Sequence, residues 1–120
     1  MQLRFLLFIV FLLLVGCNTQ AQELERASRN YKAHRDYASL EIIHGHLRKD
    51  MERTKVENLL GEADYSPIEG QYYYSSDRRE AVDNGKERMN VTVGLVVEYC
   101  DDQDKLTEQL QRFWLGPIGE

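Results

Sequence analysis

The apolar positions of this chain fall into blocks of different period. Phe5 to Val15 is an unbroken apolar run, followed by Gly16-Cys17 and the polar stretch Asn18-Thr19-Gln20-Ala21-Gln22. Gln22 to about Ala38 is charged and helix-compatible, with Leu24, Ala27, Tyr31 and Ala38 roughly on one face. So few large apolar residues suit either a loosely packed helix or a partly disordered spacer. Leu40, Ile43, Leu47 and Met51 continue at three-to-four spacing as stronger core candidates, with Gly45 weakening the helix between them. The clearest helix is Glu52 to Leu60. Val56, Leu59 and Leu60 form its apolar face, and Gly61 fits the left-handed residue past a helix end.

Beyond Gly61 the period shortens. Glu62 to Pro67 is rich in turn-forming residues, and Gln71-Tyr72-Tyr73-Tyr74-Ser75 then reads as a strand, since aromatic side chains suit a pleated surface. Asp77 to Arg88 reads as a long charged loop punctuated by Asp83-Asn84-Gly85. Asn90 to Cys100 is the strongest strand. Val91, Val93, Leu95, Val97 and Tyr99 share one parity and should face the core, whereas Thr92, Gly94, Val96, Glu98 and Cys100 share the other and should be mostly solvated. Asp101 to Asp104 is a tight acidic turn. Leu106 to Leu115 fits either a helix, through Leu106, Leu110, Phe113 and Trp114, or more weakly a strand.

The amino terminus carries an address. Arg4 and the free amine precede the apolar run, and Gly16 is a small residue before the cut. A membrane-spanning helix needs about 20 apolar residues, more than this run supplies, and no stop-transfer pattern follows. Leu14-Val15-Gly16-Cys17 resembles the lipobox of bacterial lipoproteins. That resemblance implies cleavage before Cys17, a thioether-linked diacylglycerol on its sulfur and an acylated amine. One acyl chain anchors only reversibly, whereas two or three give stable attachment. Asn18 after the cysteine resembles the pattern for outer-membrane delivery, with the domain facing the periplasm.

Composition narrows the remaining classes. Removing residues 1–16 from the 120-residue chain leaves 104, enough for one domain with a modest core. The loss of Arg4 takes the net charge from −5 to −6. With no basic stripe, neither nucleic acid nor polybasic attraction to anionic lipid is expected. Of the two cysteines, Cys17 is committed to lipid, so Cys100 lacks an intramolecular partner.

The string Met51-Glu-Arg-Thr-Lys-Val56-Glu-Asn-Leu59-Leu60-Gly61, followed by Tyr72-Tyr73-Tyr74, the apolar strand Val91 to Tyr99 and the acidic turn Asp101 to Lys105, resembles the BamE-like (SmpA/OmlA) lipoprotein domain family. The resemblance covers roughly residues 40 to 115. It implies an α+β fold with two short helices packed on one face of a three-stranded antiparallel sheet, and it makes Leu106 to Leu115 the third strand. The chain departs from that pattern at Asp50 (for Gly), at Ala63 (for Pro) and at Glu52, which replaces a capping Ser or Thr and should cap more weakly. The implied organisation is a signal peptide at 1–16, a tether with an N-terminal helix at 17–38 and the α+β domain at 39–120.

Candidate chemistry is sparse. His44-Gly45-His46, with His34 upstream, lacks further ligands at the spacing a zinc site needs. Asp101, Asp102 and Asp104 lack the Gly and Glu of an EF-hand loop. No Ser-His-Asp pattern, phosphate loop or nucleophile elbow is found, so no enzyme activity, metal or cofactor is expected. The expected function is a lipid-anchored periplasmic protein-binding or scaffolding module, accessory to outer-membrane protein assembly or envelope integrity. The alternative is an inhibitor or immunity-type binding lipoprotein. Exposed aromatics anchor interfaces. Tyr72 and Tyr74, with Phe113 or Trp114, are therefore the expected partner-binding residues, on the face of the sheet opposite the helices.

Overall fold

The computed structural model describes residues 19–119. Helix α1 occupies residues 19–34, α2 Tyr37–His46 and α3 Arg53–Leu60. Four strands follow: β1 Tyr65–Ile68, β2 Gln71–Asp83, β3 Arg88–Glu98 and β4 Arg112–Pro117. They form one antiparallel sheet in the order β1-β2-β3-β4. The protein is therefore α+β, but its packed body holds three helices where the domain was expected to hold two, and four strands where three were expected.

α1 is integral to the packed body, which begins inside this helix and not at residue 39. Gln, Glu, Ala, Leu and Arg make its first turns from strong helix formers. Ala27 and Tyr31 are buried in the core, and Leu24 packs against it. Ala38 is exposed because the left-handed Arg35 (φ 54°) ends α1 and resets the helical phase. The polar side of α1 closes the carboxyl end of α3. Ser28 Oγ donates to the Leu59 carbonyl at 2.7 Å, and Lys32 Nζ donates to that of Asn58 at 3.0 Å. The Arg35 guanidinium donates to the carbonyls of Leu60 and Glu62. Last-turn carbonyls have no partner within their own helix, and two cations here also complement the negative end of its dipole.

Asp36 caps α2 by accepting from the Ser39 N–H at 3.1 Å and the Ser39 hydroxyl at 2.6 Å. Leu40, Ile43 and Leu47 are buried, as their spacing predicts, while Met51 lies past the helix and is half-buried. Glu52 makes no side-chain cap to α3, and Gly61 follows that helix at φ 79°.

The two sheet corrections share a cause: neither segment carries the alternation of a half-buried strand. The stretch read as a connection contains β1, an edge strand where Pro67 is tolerated because its missing N–H breaks no central ladder. The stretch read as a charged loop at Asp77 to Arg88 is mostly ladder, with Arg79↔Thr92 through Asp83↔Arg88 paired. It extends past β1 and β4 as a two-stranded ribbon, so both of its faces meet solvent, with the paired Val82 and Met89 exposed among mainly polar side chains. Its tip is held by Asp83 Oδ1, which accepts from the Gly85 N–H, and by Asn84 Oδ1, which accepts from the N–H groups of Lys86 and Glu87. A bulge between Ser75 and Arg79 docks the ribbon on the α1–α2 junction. There the Asp77 N–H donates to the Arg35 carbonyl, and Asp77 Oδ1 accepts from the Tyr37 N–H.

β4 covers only the end of the expected third strand. Leu106 forms an isolated bridge with Cys100, and Leu110 is fully buried. Of the expected core, Val56, Leu60, Val93, Leu95 and Val97 are buried. Leu59 and Val91 are half-buried, the latter because it sits opposite Glu80 at the base of the ribbon.

Candidate functional site

Register decides which residues share a face of the sheet, since directly paired residues project to the same side. Tyr72, Val97 and Phe113 form one row across β2, β3 and β4, and Tyr74, Leu95 and Leu115 form the next. Val97, Leu95 and Tyr74 belong to the core cluster with residues of all three helices, so these rows face the helices. The opposite face carries the row Tyr65–Tyr73–Val96–Trp114. Tyr65 is 62% exposed and Trp114 42%, and Val96 between them is buried beneath its neighbours at 3%. The Tyr65 and Tyr73 rings lie 5.9 Å apart, tilted by 56°.

A polar row borders this strip. Ile68, 65% exposed, pairs with Gln71, and Gln71, Glu98 and Arg112 continue across the sheet. Gln71 Nε2 donates to Glu98 Oε1 at 2.6 Å, and Arg112 Nε donates to Glu98 Oε2 at 2.7 Å. On the other side lie Ser75, Gly94 and Gly116, two of which have no side chain. An open groove of about 600 Å³ nearby is walled by Tyr65, Tyr73, Thr92 and Ile118. The helix-free face thus combines exposed aromatics, a groove and a charged border. The expectation that Val96 and Gly94 are solvated is corrected, since both are buried.

The expected aromatic patch is redistributed. Trp114 stands on the helix-free face, but Tyr72, Tyr74 and Phe113 project toward the helices. Tyr74 is 2% exposed. Tyr72 accepts a 2.8 Å hydrogen bond from Arg53, whose guanidinium lies 4.9 Å from the Tyr72 ring and 4.8 Å from that of Tyr99. Phe113 meets His44 edge-on at 5.6 Å. Residues missed from sequence are Tyr73, Tyr65 and Ile68. Tyr73 was one parity choice away, whereas Tyr65 and Ile68 sit on a strand the pattern did not reveal.

Elsewhere the polar groups build structure. Asp101 Oδ1 accepts from the N–H groups of Lys105 and Gln103, and these bonds hold its carboxyl below the usual range. Cys100 is a free, half-buried thiol beside Gly70. Among the described residues, no group of three or more His, Cys, Asp or Glu is placed to hold a metal ion, and no helix is long and apolar enough to cross a membrane. Cys17 lies outside the described residues. Comparison with family models, with curated proteins and with solved structures finds no significant match.

Proposed function

We propose that the chain is a lipid-anchored protein-binding or scaffolding module that engages its partner through the helix-free face of the sheet. The observation that carries this reading is the strip Tyr65–Tyr73–Val96–Trp114, which leaves two large aromatics exposed on the face that no helix among the described residues covers. Tyr and Trp supply large contact area at protein interfaces together with a polar edge. The lipobox-like Leu14-Val15-Gly16-Cys17 supports attachment through Cys17 and a place on the periplasmic side of the outer membrane. The resemblance to BamE-like domains supports a role beside an envelope protein assembly.

Two measurements test the proposal. A photocrosslinking residue at Trp114 should give a discrete adduct in intact cells, and one at Glu41 on the helix side should not. Equal adducts from both positions would remove the face assignment. Cys17→Ser should abolish incorporation of labelled fatty acid and leave an unprocessed precursor; continued labelling would remove the anchor.

A further inference from the structure

We infer that α1 is a short rigid mount that holds the domain close to the bilayer, in place of a flexible leash. The inference rests on the proposed lipidation of Cys17. It comes from how close to Cys17 the chain is already helical. Residue 19 is already helical, two residues after Cys17, and residues 19–23 are exposed before Leu24 first packs against the core. Two residues of chain span at most about 7 Å, and five helical steps add about 7 Å. The body therefore starts within about 15 Å of the Cys17 backbone. A disordered spacer covering residues 18–38 would instead give an r.m.s. reach of roughly 25 Å and a maximum near 70 Å.

The helix is stiff for local reasons. Its exposed start continues directly into the docked turns, so no separate nucleation is needed. Gln20, Ala21, Gln22 and Glu23 are strong helix formers, and Glu25 pairs with Arg29 at 3.0 Å one turn on. The far half of the helix is fastened at several points: Ala27 and Tyr31 in the core, Ser28 on Leu59, Tyr31 on Ser75 and Arg35 on Leu60. The exposed start is too polar to lie in the bilayer interface as an amphipathic helix, since residues 19–23 include no large apolar side chain. The acyl chains are thus attached to an element whose direction relative to the sheet is set by the core.

The test uses the full acylated chain in phospholipid vesicles carrying a surface acceptor dye. A donor is attached at Glu41→Cys in a Cys100→Ser background, and time-resolved energy transfer gives the distribution of its distance to the bilayer. The unmodified mount should give a narrow distribution. A six-residue Gly-Ser insertion after Gln22, outside the packed body, should broaden it at least twofold. A four-alanine insertion at the same point should shift the mean by about 6 Å or less without broadening, as one added helical turn demands. An acylated parent chain as broad as the Gly-Ser variant would overturn the rigid mount while leaving the anchor intact. Absence of acylation at Cys17 would overturn both.

Discussion

The Tyr31 hydroxyl donates a 2.7 Å hydrogen bond to the Ser75 carbonyl, joining α1 to β2 across 44 residues of chain. The Tyr31 ring is fully buried, and Ser75 precedes the bulge that turns β2 toward the ribbon. Tyr31→Phe keeps the ring and leaves the carbonyl without that donor. An unsatisfied buried polar group costs about 1–3 kcal/mol, so the variant should lose that much stability in a urea titration. Tyr31→Ala adds the loss of the ring and should cost roughly 3–5 kcal/mol. An unchanged midpoint for Tyr31→Phe would mean that the hydroxyl is not part of the fastening.

Three buried tyrosines set an alkaline limit. Burial pushes the Tyr74 phenol up to about 12 and raises Tyr31 and Tyr99 further. Unfolded tyrosine titrates near about 10. The folded values are raised, so the stability these phenols contribute is complete below pH about 10 and is lost as pH climbs through 12 and beyond. The melting temperature should therefore hold through mildly alkaline pH and fall steeply above about 10, while phenolate absorbance shows late-titrating groups. A single titration of all tyrosines near 10 with no loss of stability would contradict this assignment.

Gly94 is required by close approach and not by backbone angle. A β-carbon there would collide with the Tyr74 carbonyl and stand 2.7 Å from Ile118 Cδ1. Ile118 has room to shift, but the carbonyl belongs to the neighbouring strand at the centre of the sheet. Gly94→Ala should lower stability by about 1–3 kcal/mol, the range seen for overpacking. A variant as stable as the parent in calorimetry would show that β2 and β3 can separate there without penalty.

The two aromatic sets should respond differently. The double variant Tyr65→Ala, Trp114→Ala removes exposed rings and should leave the melting temperature within a few degrees. Each interface anchor of this type is worth about 2 kcal/mol or more to binding, so capture of the crosslinked partner should fall at least tenfold. Tyr74→Ala empties a core position and should destabilise by about 3–5 kcal/mol. If the double variant melts as early as Tyr74→Ala, the helix-free strip holds the fold and is not a docking surface.

What was legible in the sequence follows from where burial leaves a period. Leu40, Ile43 and Leu47 mark α2, and Val56 with Leu60 marks α3, because a helix buries one stripe and leaves the rest wet. Val93, Leu95, Val97 and Tyr99 revealed the inward parity of β3 for the corresponding reason in a strand. The proposed anchor at Cys17 rests on the local string around it, since a processing signal is read from an extended peptide and needs no tertiary context.

The tertiary structure decided what local pattern leaves degenerate. Tyr72-Tyr73-Tyr74 contains no polar–apolar contrast, so nothing within the triplet says which ring turns inward. Pairing with Val97, Val96 and Leu95 does, and it sends Tyr73 outward. β1 and the ribbon are held by ladder pairing to a neighbour, and backbone hydrogen bonds leave no trace in side-chain periodicity. α1 looked loosely packed because its stripe is small. It is secured instead by Ser28, Tyr31, Lys32 and Arg35 reaching carbonyls on α3, on β2 and in the loop after α3, 25 to 44 residues away in sequence. Hydrogen bonds over that separation depend on where the folded chain places each acceptor, and only the assembled core supplies those positions.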